Sequence, residues 1–182
     1  MSRPPALLII DVQQGLDDPY YGARNNPAAE RRMAELLAAW RAAGRPVLHA
    51  QHLSLRPGSP LREGAPGSAI KPEVQPLPGE PVFRKHQNSA FIGTDLDLRL
   101  RRLGARHVVA FGISTDMCVS TTVRTGANMG WDMVLVDDAC DCFDLPDGKG
   151  GLISAKAVQA AHVATLGFEF CKVVSTAEVL SN

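Results

Sequence analysis

The chain has 182 residues, of which 45% are hydrophobic and 21% are charged. This length and composition suit one globular domain with a sizeable core, and we expect residues 1–182 to form a single domain. The 19 basic and 19 acidic residues balance. That balance gives no electrostatic reason to expect nucleic acid or an anionic membrane as a partner.

The first residues and the cysteines bear on where the protein works. The apolar run Ala6–Ile10 is short and meets Asp11 at once, whereas a signal peptide needs a longer apolar region and a small-residue cleavage site. No apolar stretch approaches the length of a membrane span. The four cysteines do not form a small-domain disulfide framework. We therefore expect free thiols in a reducing, cytoplasmic compartment.

The amino-terminal part of the chain begins with a strand and a helix. Ala6–Ile10 is apolar without polar alternation, which is typical of a strand covered on both faces. Asn25-Asn26-Pro27 can start a helix. Apolar residues then recur at helical spacing up to Gly44, which can end it. Pro46–Gln51 predicts a second strand.

The segment Leu53–Glu80 differs from the rest of the chain. It holds six prolines and four glycines and shows no periodicity. A loop of this length in a compact domain is typically a binding loop or a lid. A flexible insertion that the fold merely tolerates is the alternative. We expect substrate specificity to come from this segment and from the loop Asn88–Phe91.

The alternation of strands and helices continues to the carboxyl end. Four further strands are predicted, at Pro81–Lys85, His107–Gly112, Asp132–Asp137 and Phe170–Val174. Helical patterns separate or follow them, from Thr94 to Gly104, from near Cys118 to Gly130, from Ile153 to Gly167, and after Ser175 with Glu178 as its capping partner. This alternation predicts a three-layer α/β/α fold with a mainly parallel sheet of six strands.

Three of these strands deliver reactive groups at or after their ends. Asp11 follows the first strand, Lys85 ends the third, and Cys118 lies six residues after Gly112 at the start of a helix. Because the carboxyl ends of parallel strands meet at one edge of a sheet, we expect the three side chains to lie together. A lysine and a helix amino terminus favour a thiolate. A carboxylate can take the thiol proton.

Each of these residues also has an ordinary structural explanation. A cysteine at a helix start is often a small buried apolar residue. An aspartate after a strand is often a cap, and a lysine there is often solvated. Their expected coincidence at one edge of the sheet favours a functional interpretation beside the structural one.

Three motifs in order along the chain resemble those of the isochorismatase-like cysteine hydrolases. The segment FGISTDMCVSTTVRTGANMGWDMVLVDDA matches the family signature, with Gly112, Thr115, Cys118 and Val119 in a G-x-x-T-x-x-C-V pattern. LLIIDVQ resembles the family's opening strand, and KHQNSAFIGTDLDLRL resembles a second family segment. Together with a match at His162, the resemblance covers nearly the whole chain.

The resemblance implies a fold, a reaction and a set of roles. The fold is isochorismatase-like, a variant of the Rossmann-like sheet, and the reaction is hydrolysis of an amide-like C–N bond through a thioester. Asp11 would be the general base and acid, Lys85 the orienting cation and Cys118 the nucleophile. The backbone N–H groups of Ser114 and Cys118 would bind the oxyanion, next to a cis peptide bond between Ile113 and Ser114.

The branches of the family differ at two places. Nicotinamidase-like members carry an Asp-x-His metal motif after the second strand, where this chain reads His49-Ala50-Gln51-His52. We therefore expect no metal and no other cofactor. Isochorismatases proper lack the nucleophilic cysteine that Cys118 supplies here. What remains resembles amide, carbamoyl, ureido or lactam hydrolases such as N-carbamoylsarcosine amidase and streptothricin hydrolase, with the nicotinamidase and isochorismatase types as alternatives.

Further expectations concern the substrate and the partners. We expect a small-molecule substrate, with Gln13, His49 and Phe91 as candidates for its pocket. The resemblance implies a homo-oligomer, either a dimer or a tetramer. A Cys–His pair between Cys118 and His162 is the weaker interpretation of that histidine, which sits among alanines in a helix. A thiol redox sensor and a non-catalytic binding protein on the same fold are the alternatives from other classes, and the sensor predicts a second thiol near Cys118.

Overall fold

The computed structural model describes residues 4–181. Its strands are Ala6–Ile10 (β1), Val47–His52 (β2), Val82–Lys85 (β3), His107–Ile113 (β4), Asp132–Asp141 (β5), Leu145–Pro146 (β6), Leu152–Ile153 (β7) and Lys172–Val174 (β8). Six of them form one sheet in the order β3-β2-β1-β4-β5-β8, and each neighbouring pair is parallel. The remaining two, β6 and β7, form a small antiparallel hairpin. The predicted six-stranded sheet is confirmed.

Helices complete the layers on the two faces of the sheet. They are Ala29–Ala42 (α1), Leu96–Arg102 (α2), Ser120–Asn128 (α3), Ala155–Glu169 (α4) and Thr176–Leu180 (α5). The helices α1 and α5 pack against each other and against β5, and α3 and α4 do the same. The capping box predicted for α5 is present. Within residues 4–181, no helix has the length and apolarity that crossing a membrane requires.

The predicted elements differ from the observed ones in three places. The strand β5 runs past Asp137 to Asp141, although its polar residues there do not resemble a buried strand. The predicted helix near Cys118 begins as a π-helical turn, Thr115–Val119, before α3 continues it. The hairpin of β6 and β7 was not expected, because two-residue strands carry no pattern that sequence analysis detects.

The centre of the sheet is where the strand order reverses. After β1, the chain adds β2 and β3 on one side and then returns to place β4 on the other side of β1. All five residues of β1 are buried. In open parallel sheets such a switch point leaves a crevice outside the carboxyl ends of the strands. Asp11 follows β1, and the turn that carries Cys118 follows β4, so both border this crevice.

The 53–80 segment is held against the rest of the domain by hydrogen bonds and ion pairs. The Gln14 N–H donates to the Ala69 carbonyl at 2.9 Å, and the Lys71 N–H donates to the Val12 carbonyl at 3.0 Å. The Lys71 ammonium lies 2.6 Å from carboxylate oxygens of both Asp17 and Glu30. These contacts fix the segment beside the carboxyl ends of β1 and β2.

Gly112 permits the close approach of β4 to β1 at the switch point. A Cβ atom on this residue would lie 1.9 Å from the carbonyl oxygen of Ile10, and its φ of +151° is one that side chains rarely adopt. Neither backbone can retreat, because both strands are paired on their other sides. The pairing of β1 with β4 therefore depends on a glycine at this position.

We predict that Gly112→Ala destabilises the protein by about 3 kcal/mol or more, or prevents folding, because overpacking against backbone cannot relax. Gly130→Ala is the matched control, since Gly130 also has a positive φ (+85°) but nothing lies within 4 Å of its added Cβ. It should lose only about 1 kcal/mol, the cost of the left-handed conformation. Urea unfolding of the two variants measures the difference. Equal losses would contradict the close approach.

Candidate active site

The crevice at the switch point is a cavity of about 550 Å³. It is lined by Asp11 after β1, His52 at the end of β2, Ser114 and Cys118 after β4, and Phe143 after β5. Residues of the 53–80 segment form part of its wall, namely Ser54, Leu55, Arg56, Ser59 and Leu61. A concave site of this size with a few convergent polar groups suits a small molecule.

A buried ion pair lies beside this cavity. The Lys85 ammonium donates to Asp11 Oδ2 at 2.5 Å and to the Gln87 carbonyl at 3.1 Å. Asp11 and Lys85 are each 1% exposed, and buried charges persist in proteins when they are paired. Asp11 Oδ1 has no hydrogen-bond partner among residues 4–181. One oxygen of the carboxylate is thus held by Lys85 and the other is left available.

The backbone of Asp11 is unusual for a residue with a side chain. Its φ is +53°, a region in which aspartate is among the few non-glycine residues found with any frequency. Its N–H donates to the Ala50 carbonyl at 3.1 Å, which continues the pairing with β2. The chain turns immediately after this bond, and the carboxylate meets Lys85 there.

Cys118 lies within the π-helical turn, where its thiol approaches Asp11. The turn is held by the Ser114 carbonyl, which accepts the N–H groups of Met117 and Val119 at 3.2 Å each. The peptide bond between Ile113 and Ser114 is cis. Cys118 Sγ, a carboxylate oxygen of Asp11 and a ring nitrogen of His52 all lie within 4.8 Å of one another.

The surroundings of Cys118 favour the protonated thiol. Burial, and after it the negative charge of Asp11, raise the pKa of the Cys118 thiol well above its usual value, and the Lys85 cation opposes them only in part. Burial and Asp11 therefore outweigh the Lys85 cation, which favours the thiolate. A protonated thiol beside a carboxylate with one free oxygen is an arrangement in which the carboxylate can take the thiol proton as sulfur attacks.

A second ion-pair network supports the turn that carries Cys118. The buried Asp141 carboxylate accepts the Arg24 Nε–H and also the N–H groups of Asn25 and Asn26 at 3.2 and 3.0 Å. The Asp141 carbonyl accepts the Thr115 hydroxyl at 3.3 Å. Because Asp141 ends β5 and Thr115 begins the turn, these bonds connect the turn to the sheet and to the loop before α1.

None of the three residues predicted for the substrate pocket lines the cavity in the described chain; they are Gln13, His49 and Phe91. The Gln13 amide instead bonds to both backbone groups of His52 at 2.9 Å, which secures the end of β2. The Phe91 ring packs against α3, where a Cβ on Gly126 would lie 3.0 Å from it. Both side chains satisfy structural needs that the sequence does not display.

His52 occupies the place that was expected for His49. His49 Nε2 lies 3.1 Å from Glu80 Oε2, and that carboxylate also binds Arg41 through two contacts of 2.8 Å. His52 lines the cavity beside Asp11 and Cys118. The register between β2 and β3 distinguishes the two histidines. His52 is paired with Lys85, so His52 lies level with Lys85 at the carboxyl ends of the strands.

The remaining candidate residues lie away from the cavity. All four cysteines are free, and Cys118 is the one that lines the cavity among the described residues. The Cys142 thiol lies 3.2 Å from Gln159 Oε1 and 3.5 Å from Asp116 Oδ1. His162 does not line the cavity. The second thiol that a redox sensor would need is thus not found beside Cys118.

Comparison with known proteins places this architecture in a family. Residues 5–166 match the model of the isochorismatase domain. A solved isochorismatase-family protein from Chromobacterium violaceum ATCC 12472 superposes with a TM-score of 0.94 and 47% identity, covering 99% of this chain and 93% of that one. The isochorismatase family protein YrdC of Bacillus subtilis (strain 168) is 36% identical over 100% of this chain and 97% of its own length.

Two relatives carry names that state an activity. A streptothricin hydrolase of Streptomyces noursei is 35% identical over 78% of this chain and 51% of its own length. The ureidoacrylate amidohydrolase RutB of Enterobacter sp. (strain 638) is 33% identical over 76% of this chain and 56% of its own length. The chain spans only about half the length of these two relatives.

The buried histidines predict how stability depends on pH. Burial lowers the pKa of His49 below its ordinary value of 6.5, despite Glu80. Burial, and after it the Lys85 cation, lower the pKa of His52. Both are therefore neutral when folded but gain protons near pH 6.5 when unfolded. Stability is fully present above pH 6.5 and is lost as the pH falls below it, by at most about 1.4 kcal/mol per pH unit for each histidine.

The measurement is urea unfolding of the unaltered protein and of His49→Gln between pH 7 and pH 5.5. Glu80 stays ionised in this range, because hydrogen bonds from Arg41 outweigh burial and lower its pKa to about 2. The free energy of unfolding of the variant should fall less steeply as the pH decreases. Adding His52→Gln should remove most of the pH dependence that is left. An unchanged slope in the double variant would contradict the neutral state of both rings.

Proposed function

This chain belongs to the isochorismatase family, and we propose that it is a cysteine hydrolase that cleaves a C–N bond in a small molecule. The observation that carries the proposal is the meeting of the Cys118 thiol and the Asp11 carboxylate within 4.8 Å, with Lys85 bound to that carboxylate at 2.5 Å. The name of the relative ureidoacrylate amidohydrolase supports hydrolysis of an amide-type bond.

In the first step, Cys118 attacks the carbonyl carbon of the substrate. The thiol is protonated at rest, so Asp11 takes its proton as the S–C bond forms. Lys85 occupies Oδ2, which leaves Oδ1 as the oxygen that accepts the proton. The carbonyl oxygen becomes an oxyanion, and the backbone N–H groups of Ser114 and Cys118, two residues that line the cavity, donate to it.

In the second step, the tetrahedral intermediate breaks its C–N bond. Asp11 returns the proton to the leaving nitrogen, which departs as an amine or as ammonia, and a thioester to Cys118 remains. Water then attacks the thioester while Asp11 takes one of its protons. The S–C bond breaks, the acid leaves and the thiol regains its proton, so the enzyme returns to its starting state.

The cavity suits a small substrate with both apolar and polar parts. Leu16, Tyr21 and Phe143 line one part of it, and polar side chains such as Ser54 and Asn88 line another. The reacting carbonyl must come from an amide, carbamoyl, ureido or lactam group that reaches Cys118. The name of the relative streptothricin hydrolase supports hydrolysis as the type of reaction.

The proposal includes a cellular compartment and an oligomeric state for the enzyme. Four free thiols in residues 4–181 support a reducing, cytoplasmic compartment. Phe168 on α4 is 89% exposed and Leu152 is 68% exposed. The homo-oligomer that the resemblance implies would cover exposed apolar side chains of this kind. The redox-sensor alternative gains no support, since no further thiol borders the cavity among the described residues.

We predict a graded set of kinetic losses with any amide, carbamoyl amine, ureide or lactam that the enzyme turns over. Cys118→Ala should abolish turnover, because no other group can form the acyl intermediate. Asp11→Asn should lower kcat by about 10²–10⁴-fold while KM changes little, since it removes proton transfer but keeps the shape of the side chain. It leaves Lys85 without its charged partner, so kcat is measured on the fraction that circular dichroism shows to be folded. Steady-state kinetics on a panel of these substrates gives both values.

The matched control for these variants is Cys171→Ala, which removes a thiol that does not line the cavity and should keep turnover. A Cys118→Ala enzyme with near wild-type kcat would end the proposal. So would a Cys171→Ala enzyme that loses activity while remaining folded by circular dichroism.

We predict that hydrolysis is independent of metal ions. His49, which sits where a metal motif would begin, is instead bonded to Glu80 at 3.1 Å. Exhaustive treatment with EDTA should therefore leave kcat/KM unchanged or raise it. Loss of activity on chelation, with recovery on adding zinc or iron, would be the opposite result and would place the enzyme in the metal-dependent branch.

A further inference from the structure

We propose that Asp11, His52 and Cys118 together form a binding site for a thiophilic divalent cation, with Zn²⁺ as the ion that fits best. The three side chains come from three different strand ends and each offers one ligand atom. They supply an oxygen, a nitrogen and a sulfur donor. Of the three, only His52 belongs to the stretch His49-Ala50-Gln51-His52, which lacks the Asp-x-His pattern.

The distances between the donor atoms are close to those a zinc ion requires. All three atoms lie within 4.8 Å of one another. Zinc bonds sulfur at about 2.3 Å and nitrogen or oxygen at about 2.0–2.2 Å, so ligands in a tetrahedral site are roughly 3.5 Å apart. A pair of donor atoms therefore needs to approach by about 1.3 Å at most, from 4.8 Å to roughly 3.5 Å, which is within the range of side-chain rotation.

Two of the donor groups have unused hydrogen-bonding capacity. Asp11 Oδ1 is buried without a partner, and so is His52 Nδ1, among residues 4–181. Asp11 is itself 1% exposed. Because Lys85 bonds to Oδ2, the ion can take Oδ1 without breaking the ion pair. An unpartnered carboxylate oxygen inside a cavity is the group that a cation satisfies.

The chemistry of the donors selects among cations. Thiolate and imidazole ligands suit zinc, whereas magnesium and calcium take oxygen ligands. Binding forms the Zn–S bond and releases the Cys118 thiol proton to solvent. The thiolate and Asp11 then face two cations, the zinc ion and Lys85. Asp116 and Asp144, which line the same cavity, supply further negative charge. A water molecule from the cavity can fill the fourth position.

A bound zinc ion would act as an inhibitor. It engages the Cys118 sulfur and the free oxygen of Asp11, which are the nucleophile and the base of the proposed reaction. This consequence rests on the proposed function, but the binding itself does not. Metal-free hydrolysis and zinc binding are compatible, since the same residues serve one or the other at any moment.

The test is a calorimetric titration of the full chain with zinc chloride, followed by X-ray absorption at the zinc edge. We expect one zinc per chain, release of about one proton seen in buffers of different ionisation enthalpy, and a shell with one sulfur among nitrogen and oxygen ligands. His52→Gln and Cys118→Ser should each weaken zinc binding by about tenfold or more. Magnesium chloride should give no binding.

Matched controls separate this site from other donors in the chain. His86→Gln changes another histidine that lines the same cavity, and Cys171→Ser changes a thiol outside it. Both should bind zinc as the unaltered protein does. Thermal melts of each variant check that it is folded. His52→Gln changes the end of β2 and Cys118→Ser changes the π-helical turn, so one structural defect would not affect both.

Several results would overturn the proposal. They are unchanged affinity in both His52→Gln and Cys118→Ser, a zinc shell without sulfur, and a shell with two sulfurs, which would point to Cys140 and Cys142. None of these measurements needs a substrate, so a failure of the hydrolase proposal would be seen separately, in the kinetics of Cys118→Ala.

Discussion

A buried ion pair between Asp11 and Lys85 is the interaction on which the site depends. Its two charges are 1% exposed and lie 2.5 Å apart, and removing either partner would leave an uncompensated buried charge. Asp11 follows β1 and Lys85 ends β3, with β2 between them, so the pair fixes the carboxyl ends of three strands. It also orients the carboxylate, because one oxygen is held and the other is free.

Cys118 approaches this ion pair from the other side of the switch point. The backbone of β4 and of the turn after it determines this position. Gly112 lets β4 lie against the Ile10 carbonyl, and the π-helical turn then positions the thiol. The network around Asp141 and Arg24 connects this turn to the loop before α1. Rigid elements thus carry each member of the cluster. The resulting burial raises the pKa of the thiol and makes proton transfer to Asp11 part of the proposed attack.

The sheet and the meeting of Asp11, Lys85 and Cys118 at its edge could be predicted, because buried parallel strands are continuous apolar runs whose carboxyl ends converge. The pocket residues could not. His49 and His52 are the same residue type in the same strand, and only the pairing of β2 with β3 decides which of them reaches the cavity. Gln13 was expected to face substrate, but its amide satisfies the backbone of His52. The pKa of Cys118 depends on tertiary burial, which local sequence does not report.

The proposed reaction passes through one covalent intermediate, a thioester on Cys118, and trapping this intermediate is the most direct test of the mechanism. A substrate that turns over is mixed with the enzyme, quenched in acid within milliseconds and analysed by peptide mass spectrometry. The thioester mechanism predicts a mass increase equal to the acyl group on the peptide that contains Cys118, and the loss of this increase as turnover ends. An acyl mass found only on another residue would contradict the mechanism.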